Sequence, residues 1–378
     1  VVLFGINPIY IVGIIIFFIL ILLLPRFLRM RIISTVTRVS QELEDMVSES
    51  KIILVKLSKE EGKPNSDPGP AIDNYLEFFM LPPVDLDPQG VVHKLQKILE
   101  MGEDRFQSMA LTIAPHADPE WRANIIMTLK STLALNSVAK MVRHNLELAR
   151  KTGNLQILLM LQMSLPLLMR LMKAQFEGTK SFAEGKPIGD GLGPLVVGMF
   201  LKDFTEEELE ERDELVVARR EIEEINLIIS RAKGPGARVG KLGMAVTSLI
   251  EEENINRIIT VDAAVKLEGE ESGSVAEGVG VVIGGPGVDR WIIEEELLKR
   301  DLQTDAVIVK MSPEEAIGRI NQEILEASKK AFSVVNESIL RSKSGSRVLV
   351  VGVGNSCGIP NIISDPDKID IKKNEPQS

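Results

Sequence analysis

The sequence predicts an α/β protein in three successive regions: a single N-terminal transmembrane helix, a helical middle domain and a C-terminal, mostly parallel α/β domain. Three observations carry that prediction. The chain opens on an unbroken apolar run, continues through a long stretch of helical period, and changes at Glu184 to helices alternating with short β-branched segments and glycine-bearing loops. The boundaries read as an anchor over 1–25, a membrane-proximal helix over 26–60, a linker over 61–89, a helical domain over 90–183, a glycine-loop α/β domain over 184–364 and a disordered tail over 365–378.

The run from Val1 to Leu24, with Ile9–Leu24 as its apolar core, is long enough to cross a hydrocarbon layer roughly 30 Å thick as one helix. Arg26, Arg29, Arg31 and Arg38 follow it at once. Basic residues on one side only predict a single pass through the cell membrane, with a short outward N-terminus and the bulk of the chain cytoplasmic. No basic region precedes the run and no small-x-small site follows it, so an anchor rather than a cleaved leader is expected. The lipid bilayer is thus the first predicted partner.

Composition narrows the function of the remainder. A formal net charge of -10 excludes a nucleic-acid binder, because neutralising a phosphate backbone needs a basic surface. A single cysteine excludes an intramolecular disulfide framework and fits a reducing compartment.

After the anchor, Val39, Leu43, Met46, Ser50, Ile53 and Leu57 recur at heptad spacing. Such a seam serves either a parallel coiled coil, which makes the protein a homo-oligomer, or packing against the chain's own next domain. Glu61 to Pro70, rich in proline and glycine, reads as an exposed linker, and a second break spans Leu81 to Pro88. Asp118-Pro119-Glu120 caps a long helix in the middle domain. Leu155 to Met169 is strongly apolar, but Gln156, Gln162, Ser164 and Pro166 make it too polar and too short for an easy crossing. A buried core helix is expected there, with an interfacial or re-entrant segment as the alternative.

In the α/β region, Thr205-Glu206-Glu207-Glu208 has the form of a capping box opening a long helix, with Leu215, Ala218, Ile222, Ile225 and Ile229 as its buried stripe. Arg257 to Ala264 and Asp305 to Lys310 read as strands, and Ser312-Pro313-Glu314-Glu315 caps a further helix. Arg347 to Val353 is apolar enough to be a central strand of a parallel sheet.

Glycine-bearing loops at strand ends are where such sheets bind ligands. The candidate ligand-binding residues are Gly236, Gly240, Lys241, Gly285, Gly354 and Asn355, with Gly191 in a fourth loop. Lys241 follows a glycine but precedes Leu242, where a nucleotide-hydrolysing loop would carry serine or threonine to hold magnesium. An anion is expected near Lys241 and the amides of Gly234 to Gly240. Asp190 and Asp262 stand at element ends rather than in acidic runs, and are the candidate hard oxygen ligands for a divalent cation in an adjacent subsite.

The anchor, the methionine- and leucine-rich middle, and the phrases Gly189-Asp-Gly-Leu-Gly-Pro-Leu-Val196, Val261-Asp-Ala-Ala264, Leu267-Glu-Gly-Glu270 and Gly352-Val-Gly-Asn355 resemble an archaeal family of membrane-anchored proteins of about this size and uncharacterised function. The loops alone resemble those of the hydrogenase-maturation and spore-germination endopeptidases, which carry a Gly-x-Gly-Asn turn, an Asp-Gly-Leu-Gly-Pro-like helix start and an acidic strand end. Here these pieces stand in rotated order, with Gly352-Val353-Gly354-Asn355 last, and the histidine that the resemblance implies is missing, since His93, His116 and His144 all precede the domain. If the sheet is a circular rearrangement of that fold, Asn355, Asp190 and Asp262 converge. Two functions follow: a membrane-anchored assembly or scaffold protein with a cytoplasmic α/β domain, or a metal-dependent hydrolase, an endopeptidase by the second resemblance, with its site at the loops.

Overall fold

The computed structural model describes residues 8–81, 83 and 90–372. The first half is helical: α1 (Pro8–Gly62), α2 (Gly69–Tyr75), α3 (Val91–Ile113), α4 (Pro119–Thr152) and α5 (Leu155–Ala183). Of these, α1, α4 and α5 are long and apolar enough to cross a membrane. The chain forms two compact units, one of the residues up to Glu49 with Ala134–Met172, the other of Ser50–Leu133 with the residues from Lys173 onward.

In the first unit α4 runs antiparallel to α1. Arg143 donates to Glu44 Oε1 at 2.7 Å, Arg150 to Thr37 Oγ1 at 2.6 Å and Arg29 to the Arg150 carbonyl at 3.4 Å. Gly153 then turns the chain at a φ of 70°, and Asn154 Oδ1 caps α5 by accepting from the Gln156 amide at 2.9 Å. Leu43, Met46, Ser50 and Leu57 are buried by the chain itself, so most of the heptad seam packs within the chain, the second of its two expected uses. One expectation is corrected here. The apolar stretch of α5 is not a buried core helix: Leu158, Leu165 and Met169 turn inward while Leu155, Leu159, Met160, Met163 and Leu167 are exposed.

The helical part of the second unit closes over Leu54, Leu57, Ile72, Phe106, Ile113, Ile125 and Leu129. Within the stretch expected as linker, α2 forms and buries Ile72 completely; residues 82 and 84–89 lie outside those described. Asp118 caps α4 as its sequence suggests, its Oδ1 accepting from the amides of Glu120 and Trp121, each at 2.9 Å.

The remaining elements are α6 (Leu192–Met199), β1 (Glu210–Arg212), β2 (Leu215–Ile222), β3 (Ile225–Ala232), α7 (Leu242–Glu253), β4 (Arg257–Val265), β5 (Ser274–Val279), α8 (Val288–Arg300), β6 (Gln303–Met311), α9 (Pro313–Ile317), α10 (Gln322–Leu340) and β7 (Arg347–Gly352). They build a seven-stranded sheet in the order β1-β2-β3-β7-β4-β6-β5. Strands β3, β7, β4 and β6 are parallel, with β7 central as its apolar sequence implies, and the edge strands are antiparallel. Helices α6 and α10 cover one face through Leu195, Val197, Ile324 and Val335, while α7 and α8 cover the other through Leu249, Ile250 and Ile293.

The long helix expected after Thr205 is a correction. Its capping box forms, with the Thr205 amide donating to Glu208 Oε2 at 2.7 Å, but it closes only the short turn Glu206–Glu208. The chain then folds as hairpins, Arg212 opposite Leu215 and Ile222 opposite Ile225. Asp213, Glu214, Glu223 and Glu224 form the two-residue turns at positive φ, the pattern that matches strand twist. Of the tail expected to be disordered, residues up to Lys372 are in place: Ile369 is buried and the Lys372 amide donates to the Ile320 carbonyl at 2.8 Å. Residues 373–378 lie outside those described.

Candidate carboxylate site at the sheet edge

Strand β4 lies between β7 and β6, and all three are parallel, so their carboxyl ends form one edge of the sheet, the usual ligand position in a parallel sheet. The chain leaves β4 through the edge strand β5 before it reaches α8. Asp262 lies near the carboxyl end of β4. It is 3% exposed, and its oxygens accept from the Ala263 amide at 2.7 Å and from the Gly284 amide at 3.1 Å.

Asp190 reaches the same edge from the turn Gly189–Gly191 that leads into α6. That helix lies against the strand ends so closely that a Cβ at Gly193 would stand 2.1 Å from the Val353 carbonyl oxygen and 2.4 Å from that of Val261. Only glycine permits the approach. Gly354, at a φ of 125°, passes equally close to the Asp190 carbonyl, and the next amide, that of Asn355, donates to Asp190 Oδ2 at 3.0 Å. Asn355 turns its own Oδ1 to the Cys357 amide at 2.9 Å, fixing the loop after β7.

The two carboxyls share one electrostatic environment. Burial, and then the Asp190 carboxyl beside it, push Asp262 up to about 8, against the opposing pull of the Ala263 and Gly284 amides. Burial raises Asp190 as well, with the Asn355 amide opposing it. At neutral pH such a pair retains a proton that isolated aspartates would have lost. Cys357 is buried and pushed up to about 12, so it offers no thiolate.

The structure therefore brings Asp190, Asp262 and Asn355 together. The loop that carries Gly236 is bonded to the residue after Asn355, but its far end, at Gly240 and Lys241, faces a different cavity. Gly240 and Lys241 line a cavity of about 320 Å³ with Leu99, Ile126, Met244 and Asp289, and neither Asp190 nor Asp262 is among its walls. Several of the amides expected to meet an anion on this loop have partners within the protein. Gly234 donates to Asn361, Gly236 to Glu120, Ala237 to Asn124 and Lys241 to the Asp213 carbonyl, so these donors are satisfied within the protein. Gly285 sits at a φ of 87° on the exposed loop whose Gly284 amide covers Asp262.

The divalent cation meets a similar obstacle. Among the described residues no group of three or more His, Cys, Asp or Glu side chains is arranged to hold a metal ion. Asp262 already accepts an amide N–H on each oxygen, which occupies lone pairs that a cation would use.

Two residues that the sequence does not single out support the site. Arg231, fully buried in β3, donates to the carbonyls of Pro360 at 2.7 Å, Ile359 at 3.1 Å and Asn361 at 3.3 Å, and burial lowers it to about 9. Ser356 Oγ lies 2.7 Å from the Lys233 and Gly236 carbonyls, clasping the loop after β7 to the loop after β3. An arginine close behind the apolar run Leu227 to Ile229 is the one signal that points to the first of these.

No curated protein and no solved structure matches the chain. Two family profiles do: residues 10–185 match "Protein of unknown function (DUF1512) N-terminal domain", and residues 188–360 match "Domain of unknown function (DUF1512) C-terminal". The junction between them falls just before the Gly189–Gly191 turn, so Asp190, Asp262 and Asn355 all lie in the C-terminal domain. With both halves matched in order, the chain belongs to the DUF1512 family.

Proposed function

We propose that the protein is a membrane-tethered hydrolase whose α/β domain, on the cytoplasmic side of a single α1 anchor, works by a proton-sharing pair of aspartates rather than by a metal. The observation that supports this reading is the nearness of Asp190 and Asp262 at the carboxyl edge of the sheet, where α6 and the loop after β7 pack on the end of β4. Two carboxyls that cannot both ionise near neutral pH supply an acid and a base from one site. Asp190, whose orientation the Asn355 amide fixes, takes a proton from a water that attacks an amide or ester carbonyl. Asp262 gives its proton to the carbonyl oxygen; on collapse of the tetrahedral intermediate Asp190 passes the water-derived proton to the leaving group while the hydroxyl of the intermediate returns its proton to Asp262. The loop likeness to endopeptidases favours amide substrates.

Purified full-length protein in mild detergent, offered labelled casein and nitrophenyl esters between pH 5 and pH 8, tests the reading. Hydrolysis that falls about 100-fold or more in both Asp190→Asn and Asp262→Asn, with fold retained, is expected. Hydrolysis that survives either change, or none from the wild type on any substrate, removes the enzymatic reading and leaves the scaffold function.

A further inference from the structure

We propose that the tip of the α4–α5 hairpin rests in the headgroup layer of the same bilayer that holds α1, with Leu155 reaching the acyl boundary and Leu159 and Met160 lying among the headgroups. The first observation is that α5 has two apolar sides. Leu158 and Leu165 face inward at 0% and 4% exposure, while Leu159, Met160 and Met163 face outward at 43%, 65% and 82%. A single exposed leucine is ordinary, but a continuous stripe is a contact surface.

Its height identifies the occupant. The turn at Gly153 is held to α1 at Arg29 through the Arg29 bond to the Arg150 carbonyl. On α1 the apolar surface does not stop at Leu24, because Phe27, Leu28 and Met30 are exposed as well. About 20 residues span a bilayer, and Ile11 to Met30 is a stretch of that length in which Arg26 and Arg29 can extend toward the headgroups. Gly153 then lies at the hydrocarbon boundary. At about 1.5 Å per residue, Leu155 to Met160 occupy the next 10 Å or so, Met163 marks the outer edge of the headgroups and Leu167 stands in water.

Charge agrees with this placement. No aspartate or glutamate occurs from Pro8 to Gln41 or from Leu148 to Phe176, while Arg26, Arg29, Arg31, Arg150 and Lys151 cluster at the turn. A basic rim around an apolar tip fits the anionic headgroups of a lipid surface.

The sole cysteine, Cys357, is buried, so a nitroxide can be attached at one chosen position of the full chain. The variants Leu155→Cys, Leu159→Cys and Leu167→Cys, each reconstituted in phosphatidylglycerol-containing vesicles, are compared by collision with oxygen and with a water-soluble nickel chelate. The expected result is oxygen dominance at 155, near balance at 159 and nickel dominance at 167. In vesicles of phosphatidylcholine alone the oxygen excess at 155 should shrink. Nickel dominance at 155 would overturn the proposal, as would oxygen dominance at all three positions. Low access to both reagents with spin–spin broadening would assign the stripe to a second copy instead and equally overturn it.

Discussion

The amide of Asn355 donates to Asp190 Oδ2 at 3.0 Å, joining the loop after the last strand to the turn that opens the C-terminal domain 165 residues earlier. That bond fixes the orientation of one carboxyl, and burial together with that carboxyl pushes the pKa of Asp262 on the strand beside β7 up to about 8. Most of the behaviour expected of the domain follows from this arrangement.

The stability of the α/β domain should depend on pH through Asp262. Its folded value is about 8 and its unfolded value is near 3.8, so the folded state binds the extra proton between them. Stability from this group is fully present below about pH 4, falls as pH rises toward 8, and is lost above that. Thermal unfolding of the wild type should show that decline, and Asp262→Asn, which cannot ionise, should flatten it. Parallel curves for the two proteins would contradict the assignment.

Replacing Arg231 with methionine should cost about 3 kcal/mol, because the Ile359 and Pro360 carbonyls lose a buried charged donor. Unfolding in urea gives the magnitude. Hydrogen exchange should accelerate from Val353 to Asn361 in particular, since that is the segment the guanidinium holds.

A methyl group at Gly193 should be far less tolerable than at most glycines. Gly193→Ala places a Cβ against two backbone carbonyls that cannot rotate away, so α6 must lift off β4 and β7. A domain that expresses with unchanged melting temperature would show that α6 does not pack as described.

The end of the chain should contribute to stability as well. Ile369 is 8% exposed against the core that contains Ile320 and Ile324, and its replacement by alanine is expected to cost about 2 kcal/mol, measured by thermal or urea unfolding.

Much of this architecture is legible in the sequence, for physical reasons that also explain the gaps. Arg347 to Gly352 reads as a central strand because burial on both faces demands an uninterrupted β-branched run. The same principle misleads at β2 and β3. Their burial on both faces erases the alternation that marks a strand, and Leu215, Ala218, Ile222, Ile225 and Ile229 then fit a helical stripe by coincidence. The turns gave no warning either, because Asp213-Glu214 and Glu223-Glu224 replace the usual asparagine and glycine at positive φ. On α5, periodicity counts apolar residues but says nothing of which side a neighbour covers. The nearness of Asp190 and Asn355 follows from element ends meeting at one sheet edge, whereas the separation of Lys241 from them depends on how Glu120 and Asn124 of α4 dock on its loop.

The most direct measurement of the central claim is the protonation of Asp262 itself. Infrared difference spectra of the full chain, wild type minus Asp262→Asn, should contain a protonated-carboxyl stretch at pH 6 that titrates away near pH 8, and Asp190→Asn should shift that titration downward. A spectrum with no protonated carboxyl at pH 6, or a titration indifferent to Asp190, would contradict the proton-sharing pair.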